Sequence, residues 1–252
     1  MSRGRTQRCC KHRLALLGFL AGAVLVTGPT SAWGDDEDYA IEPVELRASE
    51  SLPRDIAVDL NSQGLLLYTY SNGLKMPICE LFWAKSIAAP AHPPGSGNFH
   101  YGNVEQGALV GVIHFLADAS QEYREDFHDQ KLSPGYYTMR YAVLSGIKEN
   151  DPAPDEFLVL SPVTLDRDLQ RVLPIDQIVR QSRVASRTKQ PAVMGLVPAD
   201  RSPRNLPRLR MDQDGTCVLH VKLLLQAKGN GSPQELPLAM VVVNPIQEAE
   251  GS

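Results

Sequence analysis

Gly64-Leu65-Leu66-Leu67-Tyr68-Thr69-Tyr70, then Ser71-Asn72-Gly73, then Met76 to Trp83 is the stretch on which the fold turns. Two β-prone runs joined by an Asn-Gly turn read as a hairpin of antiparallel neighbours. In the second run Cys79, Leu81 and Trp83 share one face, and Ile78, Glu80 and Phe82 share the other. Further strand signals lie downstream at Ala108 to Leu116, Tyr136 to Leu144 after the Ser133-Pro134-Gly135 turn, and Phe157 to Leu160. Cys217 to Leu225 alternates, with Cys217, Leu219, Val221, Leu223 and Leu225 expected inward and His220, Lys222 and Gln226 outward. Leu238 to Val243 follows a Gly229-Asn230-Gly231 turn. Ile175, Ile178, Val179 and Ala185 approximate helical spacing, so one short helix is expected near 175–185. The expectation is a mainly β chain: a single antiparallel β-sandwich, Ig-like or jelly-roll-like, over 55–246, with long loops. A partly closed barrel is the structural alternative.

The first residues read as an address. Arg3, Arg5, Arg8, Lys11 and Arg13 precede an apolar run of 13 residues, Leu14 to Val26, and Thr30-Ser31-Ala32 follows. That order is the one a secretory signal peptide needs, so 1–32 is expected to be removed and the protein to be secreted or periplasmic. A transit peptide is the competing reading, weakened by the compact apolar run. No later run reaches the roughly 18 apolar residues of a membrane span, so no transmembrane segment is expected in the mature chain. Nine carboxylates between Asp35 and Asp59 then suggest that 33–54 is an acidic flexible leader, and 247–252 a disordered tail. The signal carries five of the 25 basic residues and no acid, leaving 20 basic against 29 acidic side chains, a net of about −9. Nucleic acid is a poor general partner for such a surface.

Cys9 and Cys10 precede the apolar run and leave with it. Cys79 and Cys217 remain, an even number in an oxidising compartment, and both a disulfide between them and two buried thiols are compatible with their places on apolar strand faces.

Pro134-Gly135-Tyr136-Tyr137-Thr138-Met139-Arg140-Tyr141 resembles the strand start of transthyretin-like and other Ig-like sandwich modules of exported proteins. A broader order, from Cys79 through Glu80 to Lys85, Gly107 to Val112, this strand, Asp155 to Leu160 and Arg183 to Val193, resembles an uncharacterised family of exported bacterial proteins. The resemblance implies export and one domain; it implies no activity and no catalytic residue.

The chemistry-bearing residues are sparse. The five histidines of the mature chain, His92, His100, His114, His128 and His220, show no metal-ligand spacing and no HExxH. The connector Glu122 to Asp129 gathers Asp126, His128 and Asp129, whose oxygens and imidazole suit Ca²⁺ or a transition metal, against the plainer reading of a solvated charged loop. His114 interrupts an apolar strand as a half-buried structural residue. His92, His100 and Tyr101 share the long loop from Ala84 to Gln106. Tyr136, Tyr137, Tyr141 and Trp83 would form a sugar-stacking platform on an exposed face, or a core on a buried one. No G-x-S-x-G elbow or phosphate-cradling glycine loop occurs. Asn230-Gly231-Ser232 is a glycosylation sequon.

Arg180, Arg183, Arg187, Arg204, Arg208 and Arg210, with Lys189 and Arg201, face Asp200 alone as an acid between 180 and 210. No aromatic residue interleaves them, which disfavours single-stranded nucleic acid. An anionic glycan or an acidic envelope protein suits them, and internal pairing or a solvated face is the plain alternative. The functional expectation is an exported non-catalytic module that binds a cell-envelope or extracellular component, with no cofactor. The alternative is an exported hydrolase or metal-dependent enzyme using 122–129.

Overall fold

The structure, a computed structural model, describes residues 39–47, 52, 54–71, 73–90, 99–117, 124–125, 130–144, 155–200, 205–213, 215–226 and 232–244. The chain divides into Met1–Asp35, outside the described residues, and the unit Asp36–Ser252, to which everything below refers. The expected signal peptide and the 247–252 tail therefore lie outside the described residues.

In chain order the elements are β1 (Ala40–Glu45), α1 (Arg54–Ala57), β2 (Gln63–Ser71), β3 (Leu74–Trp83), β4 (Ile87–Ala88), β5 (Leu109–Phe115), β6 (Arg124–Glu125) and β7 (Lys131–Leu132). Then follow β8 (Gly135–Leu144), β9 (Asp155–Pro162), α2 (Ile175–Ser186), β10 (Val193–Val197), β11 (Arg208–Met211), β12 (Cys217–Gln226) and β13 (Gln234–Val243). Eleven strands form one sheet in the order β1-β2-β3-β5-β8-β9-β10-β13-β12-β11, with β4 added to β12; β6 and β7 pair separately. The mainly β, antiparallel expectation holds. The hairpin at the Asn-Gly turn is β2–β3, with Leu67 opposite Cys79 and Leu65 opposite Leu81.

The sheet bends at β10. Val193 to Gly195 pair with β9, while Leu196 and Val197 pair with β13, so one short strand belongs to two faces. Strands that switch faces at a bend make the corners of folded-over sheets. At the other side β4 leaves the β3 face and pairs in parallel with β12 at Leu225 and Gln226. The end strands β1 and β11 also touch. The sheet is therefore nearly closed into a barrel-like shape, and the two faces that a sandwich would keep apart are joined through β10 and β4.

One apolar core fills the interior. Leu67, Leu81, Met139, Leu158, Leu219 and Met240 come from six different strands of both faces and are fully buried in it. Fully burying such a side chain contributes about 1.5–3 kcal/mol. The outer face of β3, β5 and β8 is covered as well. Phe82 and Val112 pack there with Ile56 of α1, and Leu52 and Leu60 beside it. α2 covers β9 with Ile178 against Phe157, Val159 and Val193. This double burial explains why β9 is apolar on both faces of its middle, with Leu158 and Leu160 on the interior side and Phe157 and Val159 under α2. Ser182 and Ser186 lie against the sheet side of α2 and donate to the carbonyls of Ala192 (3.0 Å) and Gln190 (2.7 Å), tying the helix to the chain that re-enters as β10.

Two expectations are corrected here. Ala40–Glu45, inside the segment read as a flexible leader, is a strand paired along its whole length with β2, from Ala40 opposite Tyr68 to Glu45 opposite Gln63. His220 points away from the interior as read, yet it is buried, because β11 lies alongside with Arg208 directly opposite. Burial, and then the nearby Arg208, hold its imidazole below the usual histidine range.

Cys79 lies in the interior core, Cys217 is buried as well, and the two are not bridged, so the disulfide is not formed. Burial pushes the Cys217 thiol up to about 12.

Candidate functional site

The arginines that the sequence presents as one feature fall on separate elements. Arg180 and Arg183 lie on the exposed side of α2, Arg187 caps its C-terminus in a left-handed conformation (φ 56), and Arg208 and Arg210 lie on β11. Arg204 lies outside the described residues. Three of these cations are neutralised within the chain. Arg180 pairs with Asp176 one turn earlier at 2.6 Å, and this bond holds the Asp176 carboxyl below the usual range. Arg208 pairs with Asp200, and Arg210 with Asp212 at 2.9 Å. Arg183, Arg187 and Lys189 meet no carboxylate among the described residues; Arg187 donates only to the Ser133 hydroxyl at 3.2 Å. Arg183 lies in the last turn of α2 and Arg187 four residues on, at its cap. The end of α2 therefore presents three exposed cations that meet no carboxylate among the described residues.

Asp126, His128 and Asp129 lie outside the described residues, as does His92. Among the described residues no three His, Cys, Asp or Glu side chains group as a metal site. His114 and Glu80 form a pair instead. The strand register places Glu80 opposite His114 and His114 opposite Tyr136. The imidazole Nδ1 is 2.9 Å from the Glu80 carboxylate, and the ring stacks flat on Tyr136 at 3.8 Å. Glu80 is thus matched with an imidazole. Trp83, Tyr137 and Tyr141 are core, and Tyr136 is occupied by His114, so the four aromatics make no sugar platform.

Two buried polar assemblies were not legible in the sequence. Arg140 is fully buried on the outer side of β8, and all five of its donors can be placed. Its Nε and Nη2 clasp Asp166 at 2.6 and 2.9 Å. Nη2 also reaches the Asp168 carbonyl (2.9 Å), and Nη1 reaches those of Gly107 (2.8 Å) and Arg171 (2.7 Å). Thr138 donates to the same Asp166 oxygen at 2.7 Å. A buried ion pair this well satisfied fixes geometry: it pins the 166–171 loop and Gly107 to the sheet.

The second assembly closes the interior. Glu156 accepts from the backbone N–H groups of His100 and Tyr101 (both 2.7 Å) and from the Tyr141 hydroxyl (2.8 Å). Tyr101 enters the core, donates to the Val197 carbonyl at 2.7 Å and accepts from Ala239 N–H at 2.9 Å. It thus joins β10 to β13 beside the bend. Tyr101, from the long loop, is a structural plug, and His100 contributes its backbone to the same latch.

Burial pushes the Tyr101 phenol up to about 12, and burial with the Glu156 hydrogen bond pushes Tyr141 higher still. In the unfolded chain these phenols release protons near pH 10 and the Cys217 thiol near pH 8.5. Between about pH 9 and 12 the unfolded state then binds fewer protons than the folded one, and stability falls as pH rises. The urea midpoint is expected to be nearly level from pH 7 to 8 and to drop increasingly from about pH 8.5 upward, with a shallower drop in Tyr141→Phe. A midpoint unchanged to pH 11 would contradict this burial pattern.

Comparison of the chain with protein-family models, with curated proteins and with solved structures finds no match. The functional reading therefore rests on the residues of this chain.

Proposed function

We propose that the chain is an exported, non-catalytic binding module that engages an anionic glycan of the cell envelope through the C-terminal end of α2. The supporting observation is the trio Arg183, Arg187 and Lys189, which meets no carboxylate among the described residues, set beside arginines that the chain has itself neutralised. Helix C-termini favour a nearby cation by about 0.3–1 kcal/mol, which accounts for one such side chain and not for three. Guanidinium groups donate in a planar fork that matches carboxylate or sulfate oxygens in pairs. The stretch carries no aromatic residue for base stacking, so a carboxylated or sulfated polysaccharide suits it better than a nucleic acid. The N-terminal basic and apolar segments support export.

The test is retention on an immobilised sulfated polysaccharide. The triple variant R183E/R187E/K189E is expected to bind about tenfold more weakly, a loss of about 1.4 kcal/mol. R208E, which breaks an internal pair elsewhere, should be retained like the parent. Equal retention of parent and triple variant, or none for the parent at low salt, would overturn the proposal.

A further inference from the structure

We infer that the cleft at the β4 end of the barrel is a second binding site, built for a small hydroxylated carboxylate the size of one sugar acid. Its volume is about 340 Å³, and Asp59, Lys85, Ser86, Gln170, Arg171 and Gln226 line it over a floor that includes Ala108 and Leu109. Ligand cavities run from about 300 to 1,000 Å³, so this one takes a single ring rather than a chain or a flat polycycle. The mouths of β-barrels are a usual place for such sites.

The polar lining comes from four separate parts of the chain, which hydrogen bonds tie to one another and to the sheet. Lys85 N–H donates to the Asp59 carbonyl at 3.0 Å, and Asn61 N–H to that of Trp83 at 2.9 Å, which fixes the segment after α1 to the end of β3. The Gln170 amide donates to Asp59 at 2.5 Å. The backbone carbonyl of Arg171 is gripped by buried Arg140 at 2.7 Å. Gln226 ends β12, where β4 is paired. The backbone that carries the site is thus fixed before a ligand arrives, which lowers the cost of ordering it.

The donors exceed the acceptors. Among the described residues Asp59 is the one carboxylate in the lining, and one of its oxygens is already taken by Gln170. The Lys85 ammonium uses one of its three donors on the Val58 carbonyl. The Arg171 side chain meets no acceptor among the described residues. Two cations with donors to spare call for an anion, and a carboxylate is one that an ammonium and a guanidinium can bind together. The amides of Gln170 and Gln226, the Ser86 hydroxyl and the second Asp59 oxygen supply the mixed donors and acceptors that sugar hydroxyls need. No aromatic residue lines the cleft among the described residues, so none of these stacks a nucleobase. The site uses none of the α2 cations, and its failure would leave the α2 reading standing.

The test is calorimetric titration of the purified protein with D-glucuronate, with D-glucose and acetate as comparators. Saturable binding of D-glucuronate, with glucose and acetate at least tenfold weaker, is expected. R171Q keeps the backbone carbonyl that holds Arg140 and should weaken binding about tenfold; S86W, which fills the cleft from an exposed position, should abolish it. R183E/R187E/K189E should bind D-glucuronate like the parent. Melting temperatures equal to the parent's would show that both cleft variants fold. Absence of D-glucuronate binding at millimolar concentration, equal binding of D-glucose, or binding unaltered by R171Q and S86W would overturn the inference.

Discussion

Replacing Arg140 by Met is expected to destabilise the protein by about 3–5 kcal/mol, the usual cost of breaking a buried ion pair from one side. Met fills most of the volume, so the loss is one of charge and hydrogen bonds rather than of packing. Asp166 would be left buried with only the Thr138 hydroxyl. The carbonyls of Gly107, Asp168 and Arg171 would lose the donor that now serves all three. Each buried polar group left without a partner costs about 1–3 kcal/mol unless water reaches it. Lys cannot substitute, since one ammonium cannot span a carboxylate and three carbonyls in the plane of a guanidinium. The double variant R140M/D166N should recover part of the loss by removing the stranded charge. Urea denaturation of the three proteins checks this, and a loss below about 1 kcal/mol for R140M would mean that the loop is held by other contacts.

Gly107→Ala is expected to cost about 2–5 kcal/mol, for two reasons that act at one atom. Gly107 sits at φ +87, where a side chain is strained by roughly 1–3 kcal/mol. An added Cβ would also lie 1.9 Å from the Leu173 carbonyl oxygen, with the Leu173 backbone nitrogen and carbon at 3.1 and 3.0 Å. Backbone cannot swing aside like a flexible side chain, and overpacking of this kind costs about 1–3 kcal/mol. Gly107 also donates to the Tyr141 carbonyl at 2.8 Å and accepts from Leu173 N–H at 3.3 Å, so any shift disturbs both sides of the joint. Gly73 is the control: φ is +75, but nothing lies within 4 Å of an added Cβ. Gly73→Ala should therefore cost only the strain. Equal urea midpoints for the two variants would show that the Leu173 contact carries no weight. Because Gly107 and Arg140 share a hydrogen bond, their double variant should lose less than the two single losses added.

Much of the sheet was legible because its strands are bounded by recognisable turns. The Asn-Gly turn set the β2–β3 hairpin, and the alternation in Cys217 to Leu225 marked the interior face of β12. The helix followed from the spacing of Ile175, Ile178, Val179 and Ala185. β1 was hidden by its charges. Glu42 and Glu45 made it read as a leader, yet Glu42 pairs with Lys75 at 2.5 Å and Pro43 lies exposed, both ordinary on an edge strand. β11 was hidden likewise, since Arg208-Leu209-Arg210-Met211 alternates with period two inside a stretch read for its charge alone. Val193 to Val197 is a short apolar run between Pro191 and Pro198, the form a buried strand takes, but its double pairing depends on strands far away in sequence.

The candidate sites were less legible, for a physical reason. The charge of the 180–210 stretch could be counted, but which arginines are neutralised depends on Asp176, Asp200 and Asp212 meeting them in space. Arg140 looked like one residue of an aromatic strand. Its partners lie 26 to 33 residues away and include backbone carbonyls, which carry no sequence signature. The cleft joins side chains from Asp59 to Gln226 and exists only once the sheet has closed.

The most direct measurement is an amide NMR titration of the purified protein with a short sulfated oligosaccharide at low salt. Shift changes concentrated at Arg183 to Lys189, reversed by added salt and lost in R183E/R187E/K189E, are expected. No shift change at these residues, with changes elsewhere or none at all, would contradict glycan binding by the end of α2.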